Sequence, residues 1–322
     1  MDRASRVRDG ASGGTSLSPA VARVLGKVGG SEVLDRLAAL SGSDFTSLML
    51  EVARRRAAAE TPARVIRRYR SDRFARPSDT PWRTLRQVED LLASKLPAEF
   101  ELVTLAPLVP LGTHSALGPV SQDKVVTAMR ACEVAADPTN ALALEAADRR
   151  LAGSAGRVRL AAFQRVVRAQ PTHPGYFPHF SLLGLVTAGR DQGGRVFERE
   201  SVTEQVQALE AGLAAAGLRP IQVALTPLSA AGEAIISAIT AELAGSGAEV
   251  ITDSERQSGR GYYRDLCFKL SVLVQGSWQE IADGGFTDWV AQLTANTKER
   301  LLISGLGIDR LASCMADPPS RR

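Results

Sequence analysis

Near the C-terminus the chain reads S-G-L-G-I-D-R-L-A, residues 304–312. Gly305 and Gly307 stand two apart, and Arg310 follows three residues later. Bare glycines let a strand come close to a ligand, and the planar fork of an arginine makes two hydrogen bonds to one phosphate. The same residues also fit a strand running into a helix, with the glycines serving close packing. A second arginine-bearing stretch is F-Q-R-V-V-R-A-Q-P-T-H-P-G-Y-F-P-H-F-S-L-L-G-L, residues 163–185. Here a strand carrying Arg165 and Arg168 enters a proline-stiffened loop and returns apolar, as a phosphate-facing hairpin or as an ordinary surface one. In S-G-R-G-Y-Y-R-D-L-C-F-K-L, residues 258–270, Tyr262 and Tyr263 stand at the start of a buried strand. They can line a pocket or pack at a sheet edge. A glycine turn is expected in A-D-G-G-F, ahead of Thr287 and Asp288.

Many enzyme signatures are absent. No G-x-x-x-x-G-K-[ST], G-x-S-x-G or H-E-x-x-H occurs, and no G-x-G-x-x-G opens a βαβ unit. Nothing puts a nucleophile beside any of the three histidines, His114, His173 and His179. The three cysteines lie far apart without metal-ligand spacing, so neither a metal site nor a disulfide framework is expected, and a cytoplasmic setting follows. No run of about 18 apolar residues suits a membrane span, so no membrane partner is expected.

These stretches need a scaffold. The chain has 322 residues, 44% hydrophobic and 23% charged, enough to bury a core; at 5% aromatic, aliphatic side chains must fill it. The formal charge of +4 argues only weakly for a polyanionic ligand. Residues 1–20 are Gly- and Ser-rich and are expected as a disordered tail, followed by a helical extension over 21–80 and a core over 81–322. In the extension, Ser43 and Asp44 are candidate caps ahead of Phe45, Leu48, Met49 and Val52. Six arginines fall between Arg64 and Arg76. They offer an RNA-facing surface, or simply a solvated helix with arginines all around it.

Beyond Pro81, helical and extended patterns alternate. Helices are expected at Trp82–Leu96, across most of Lys124–Arg150, and at Glu200–Gly217, Ala231–Ala244 and Asp288–Arg300. Strands are expected at Arg157–Arg168, Phe180–Val186, I-Q-V-A-L and C-F-K-L-S-V-L-V. The fold class is therefore α+β, a largely antiparallel sheet flanked by helices with a small helical N-terminal extension.

The order of these segments resembles the class II aminoacyl-tRNA synthetase core, in particular the histidyl-tRNA synthetase branch, from about Trp82 to Ala316. The resemblance implies an ATP site with Mg²⁺. Arg165 would grip the α-phosphate, Arg310 the γ-phosphate, and both would be catalytic. His179 and Phe180 would lie near the adenine, and Gly305 and Gly307 would let the strand approach the nucleotide. Thr139, Asn140, Tyr262, Tyr263, Gly285 and Asp288 would line the substrate pocket, with Thr113, His114, Gln122 and Asp137 as further polar candidates.

The departures are as informative. Val167 stands where the second motif has its glutamate, and Thr139 replaces a glutamate of the amino-acid pocket. Gly261 replaces an aspartate, Arg264 and Asp265 replace Thr-Gly, and Lys269 replaces a strand glutamate. Histidine is therefore not the expected substrate. About a dozen residues follow Arg310, so the family's anticodon-binding domain is not expected. The implied function is an ATP-dependent, adenylate-forming ligase or acyl transferase acting on a small-molecule carboxylate or amino acid. The alternative is a non-catalytic paralogue resembling the regulatory subunit of ATP phosphoribosyltransferase. A homodimer built through residues near Leu102–Pro110 is implied by the resemblance.

Overall fold

The computed structural model describes residues 17–118, 120–169 and 177–315. It divides into two units, residues 1–60 and 61–322. Much of the expected tail, residues 1–16, lies outside the described residues, as does His173.

In the first unit Ser18 caps helix α1 (Pro19–Val28), which Gly29 ends in a left-handed conformation. Helix α2 (Ser31–Ala38) and helix α3 (Gly42–Ala58) follow. The cap of α3 is Ser41, whose hydroxyl accepts from the Asp44 amide, and not Ser43 or Asp44. A cap must sit just before the first helical residue so that its side chain can reach back to the free amides.

The second unit opens with α4 (Pro62–Ser71) and α5 (Trp82–Ala93). Short strands β1 (Glu101–Leu102) and β2 (Leu108–Pro110) come next, then α6 (Thr113–Leu117), β3 (Thr127–Ala128) and β4 (Cys132–Val134). Helix α7 (Pro138–Leu151) leads to the hairpin of β5 (Val158–Val167) and β6 (His179–Arg190). The remaining elements are α8 (Val196–Ala215), β7 (Ile221–Pro227), α9 (Ala230–Leu243), β8 (Glu249–Thr252), β9 (Arg264–Val274), β10 (Ser277–Thr287), α10 (Trp289–Leu293), β11 (Glu299–Gly307) and α11 (Ile308–Met315).

Eight strands form one sheet in the order β1-β5-β6-β11-β10-β9-β7-β8. The six central strands pair antiparallel, and only the edges β1 and β8 pair parallel. β2, β4 and β3 make a separate small sheet. One face of the large sheet packs on α5, α8, α9 and α11, through Leu92, Leu209, Ile239 and Leu311 among others. The opposite face packs on α7 and α10, with Leu142, Ala146 and Trp289 at its centre. Strands covered on both faces need apolar residues in both registers, as in L-C-F of β9, and each fully buried Leu or Phe contributes about 1.5–3 kcal/mol.

Three local expectations are corrected. A-D-G-G-F is no turn but the middle of β10, and the turn falls earlier at Gln275-Gly276, where both residues have positive φ. Of the helix expected over Asp288–Arg300 only Trp289–Leu293 forms, because β11 begins at Glu299. The stretch after Lys124 forms β3 and β4, with helix only from Pro138. Among the described residues no helix is long and apolar enough to cross a membrane.

Candidate functional site

A cavity of about 550 Å³ opens on the α7 face of the sheet. Its floor follows from register. Gly184 of β6 pairs with Gly305 of β11, and Gly305 pairs with Asp283 of β10. Side chains in such a lateral row leave the sheet on the same side. A Cβ on Gly184 would lie 2.8 Å from Pro138 at the start of α7, which fixes that side as the α7 face. A Cβ on Gly305 would meet nothing nearer than the Leu183 carbonyl at 3.9 Å, so the floor is bare backbone there.

At one end, Arg168 follows β5. Its Nε donates to the Ala136 carbonyl at 2.9 Å and Nη2 to Asp137 Oδ2 at 3.0 Å. The guanidinium lies over the Phe180 ring, 5.1 Å from its centre. Asp137 is also the N-cap of α7, accepting from the Thr139 amide at 2.9 Å and from its hydroxyl at 2.7 Å. A carboxylate at a helix N-terminus is favoured by the helix dipole. Arg310, in the first turn of α11, donates to the Glu280 carbonyl at 2.8 Å and is otherwise exposed. Among the described residues, Arg168, Arg310 and Lys124 are the cationic side chains lining the cavity.

At the tyrosine end, Tyr263 donates from its hydroxyl to Asp283 Oδ1 at 2.7 Å, and Arg256 donates to Asp283 Oδ2 at 2.6 Å. Burial pushes the Asp283 carboxyl above its ordinary value, against the pull of Arg256 and the Tyr263 hydrogen bond. Burial, followed by nearby carboxylates, holds both phenols protonated far above the usual tyrosine range. Tyr262 meets Tyr263 and Trp289 edge-on, with ring centres 4.9 and 5.6 Å apart. Gly285 serves this arrangement from below, since a Cβ there would lie 2.7 Å from the Tyr263 ring.

The wall beside Asp137 is held by a buried pair. Glu133 accepts from the Gly112 amide (3.1 Å), the His114 amide (3.0 Å), His114 Nδ1 (2.6 Å) and Gln122 Nε2 (2.8 Å). His114 Nε2 accepts from the Ala136 amide at 3.0 Å, so the ring is neutral with its proton on Nδ1. Glu133 thus fixes His114, His114 fixes Ala136, and the Ala136 carbonyl fixes Arg168.

Of the expected site residues, Thr139, Asn140, Phe180, Tyr262, Tyr263, Gly305, Gly307 and Arg310 line this cavity, as do His114 and Asp137. Arg165, His179, Gly285 and Asp288 do not. Arg165 donates to His179 Nδ1 at 2.8 Å, Ser181 Oγ at 3.2 Å and the His179 carbonyl at 3.3 Å. Buried Asp309 lies 3.8 Å from it and accepts from the Ser181 amide and the Ser78 hydroxyl. His179 reaches the Arg76 carbonyl at 2.6 Å. Asp288 precedes α10 without a capping hydrogen bond and pairs with Arg264. Thr113 and Gln122 are spent on the Pro110 carbonyl and on Glu133.

Sequence reasoning gave no role to Asp283 or Lys124, and it left Arg168 in a candidate phosphate-facing hairpin while giving the α-phosphate to Arg165. The two-residue alternation of β5 carries the signal for Arg168. Val158, Leu160 and Ala162 face α7, so an even-numbered residue continuing the strand faces the cavity and Arg165 does not.

Solved structures share this architecture. An ATP phosphoribosyltransferase regulatory subunit/histidyl-tRNA synthetase from Bacillus halodurans C superposes with a TM-score of 0.60 at 15% identity, over 75% of this chain and 83% of that one. A histidine–tRNA ligase subunit from Alicyclobacillus acidocaldarius matches with a TM-score of 0.58 at 16% identity, over 74% and 95%. The apo S. aureus histidyl-tRNA synthetase matches with 0.57 at 15%, over 73% of this chain and 65% of that one. No protein-family model and no curated protein matches the sequence. At such identities the likeness establishes the fold, a class II synthetase-like core.

Proposed function

We propose that this chain binds ATP and activates a small-molecule carboxylate or an amino acid other than histidine as an adenylate, for transfer to an acceptor. The observation carrying this reading is that Arg168 and Arg310 line one cavity floored by the bare backbone of Gly305. ATP would supply an electrophilic α-phosphorus and a pyrophosphate leaving group. Two guanidinium groups facing one cavity would stabilise phosphate charge as it shifts to the leaving group. Arg168 is preset for this role by Phe180 beneath it and by the Ala136 carbonyl behind it. Asp137 is the counter-ion that a phosphate oxygen would replace.

Among the described residues no cluster of three or more acidic, His or Cys side chains could hold a metal alone. Magnesium carried by a triphosphate needs only one or two protein carboxylates, and Glu280, which lines the cavity, would supply one. Its present partner is Lys269, at 2.6 Å.

Homodimerisation through Leu102–Pro110 belongs to the same proposal. β1 is an edge strand, with Leu102 and Leu108 exposed. A monomeric mass in solution argues against it. RNA as a partner is the weaker proposal, resting on the arginines of α4, and RNA retention unchanged after their replacement argues against it.

The test of the activity is pyrophosphate exchange with Mg²⁺-ATP across a panel of amino acids and small carboxylates. Exchange with one of them supports adenylate formation. Nucleotide binding without exchange for any of them leaves a binding protein on the same core.

A further inference from the structure

Helix α4 carries four arginines and no acidic residue in P-A-R-V-I-R-R-Y-R-S. At about 100° per residue, Arg64, Arg67, Arg68 and Arg70 share about 160° of its circumference. Pro62, Val65, Ile66 and Tyr69 fall together within about 100° on the other side. The arginines therefore do not ring the helix, as one reading of the segment expected, and α4 is amphipathic. None of it is buried. Every residue from Pro62 to Ser71 is exposed, including Val65 at 57%, Ile66 at 47% and Tyr69 at 39%. A single exposed aliphatic side chain is ordinary, whereas an apolar stripe opposed to a band of four cations is a pattern that fits an interface.

Such a helix asks two things of one occupant: an apolar layer for Val65 and Ile66, and anionic groups beside it for the arginines. RNA supplies only the second. Its bases stack on planar groups, the stripe offers aliphatic Val65 and Ile66, and the Tyr69 ring already has the Arg76 guanidinium 5.7 Å from its centre. An anionic bilayer surface supplies both, because acyl chains lie directly beneath the headgroup phosphates. Arginines flanking an apolar stripe keep their stems among the chains while their charged ends reach those phosphates. Arg68 stands at the Val65 edge of the stripe and Arg70 at the Ile66 edge.

We propose that α4 lies in the headgroup plane of an anionic lipid bilayer, with Val65 and Ile66 in the acyl layer and its arginines on lipid phosphates. The helix has ten residues and is about 15 Å long, so it rests on the membrane without crossing it. The apolar stripe and the basic band are each weak alone, and together they give reversible binding. The chain leaving α4 is fastened to the sheet. His179 Nε2 donates to the Arg76 carbonyl at 2.6 Å, and the Ser78 hydroxyl donates to Asp309 at 3.1 Å. A seated α4 therefore holds the sheet and its cavity at the membrane surface. The proposal does not depend on the nucleotide reading, and it is tested without ATP.

The test is co-sedimentation of the full chain with phosphatidylcholine vesicles and with vesicles containing phosphatidylglycerol, alongside titration of a fluorescent single-stranded RNA. At low ionic strength the chain is expected to bind the anionic vesicles about tenfold or more tightly than the neutral ones. Arg67→Gln with Arg70→Gln, and separately Val65→Gln with Ile66→Gln, are each expected to weaken that binding about tenfold or more. Glutamine is a good helix former and all four positions are exposed, so Tm should stay at the parent value. The proposal is overturned if anionic vesicles are not bound, if neutral vesicles are bound equally well, or if the double variant at Val65 and Ile66 binds vesicles like the parent. RNA binding that is tighter than vesicle binding, and that the Val65 and Ile66 variant leaves intact, also overturns it and assigns the arginines to nucleic acid.

Discussion

Arg165 and Arg168, three residues apart along the β5 segment, leave the sheet on opposite faces. Arg165 turns to His179, Ser181 and Asp309 on one side, and Arg168 turns to Asp137 and Phe180 in the cavity on the other. The two variants should therefore fail differently. Arg165→Ala is expected to lower stability by about 1–3 kcal/mol, because it removes several hydrogen bonds and leaves buried Asp309 without its nearest cation. Arg168→Ala, losing a partly exposed pair, should change stability by less than about 1 kcal/mol. It should weaken nucleotide binding about 10- to 100-fold. Urea titrations alongside binding measurements check both, and equal losses of stability would contradict the division of roles.

Gly305 and Gly284 sit one residue apart in the paired strands β11 and β10 but have opposite tolerances. A Cβ on Gly284 would lie 2.4 Å from Phe268, 2.7 Å from Ser304 and 2.8 Å from the Ile303 carbonyl, so Gly284→Ala is expected to cost about 1–3 kcal/mol. Gly305→Val enters open space and suits a strand, so stability should hold while ligand binding is lost. Thermal melts separate the two, and an unstable Gly305→Val would show that the floor is not free.

Glu133 gives the wall of the site a pH dependence. Burial alone would raise its carboxyl, but hydrogen bonds from the His114 amide, Gln122, the His114 ring and Gly112 outweigh burial and hold it below the ordinary carboxylate value. A folded value below the unfolded one adds stability that is fully present above about pH 4.3 and is lost as pH falls through the lower folded value. Denaturant titrations from neutral to acid should show this loss, and Glu133→Gln should flatten that limb while weakening the protein at neutral pH. An unchanged acid limb in Glu133→Gln would contradict it.

Much of the fold was legible in the order of the glycine, arginine and tyrosine segments; Gly305, Gly307 and Arg310 line the cavity where β11 runs into α11, although their spacing alone left packing and ligand approach equally open. What sequence order could not show was depth and facing. A-D-G-G-F has the composition of a turn. Its glycines instead give room for Phe268 and the Tyr263 ring to cross a central strand, a demand set by residues on β9. Arg165 was matched by position within a motif, while side-chain facing obeys the parity of the strand, which favours Arg168. Asp283 was invisible as a site residue because its neighbours across the sheet, Gly305 and Lys269, come from distant segments. Asp288–Arg300 looked helical because a helix and a strand meet there across Ala295, which has positive φ.

The central claim is that Arg168 and Arg310 together hold a nucleotide's phosphates, and calorimetric titration with Mg²⁺-ATP tests it most directly. Binding by the parent chain is expected, with Arg168→Ala and Arg310→Ala each weakened about tenfold or more. Absence of binding at about millimolar ATP, or affinities in both variants equal to that of the parent, would contradict it.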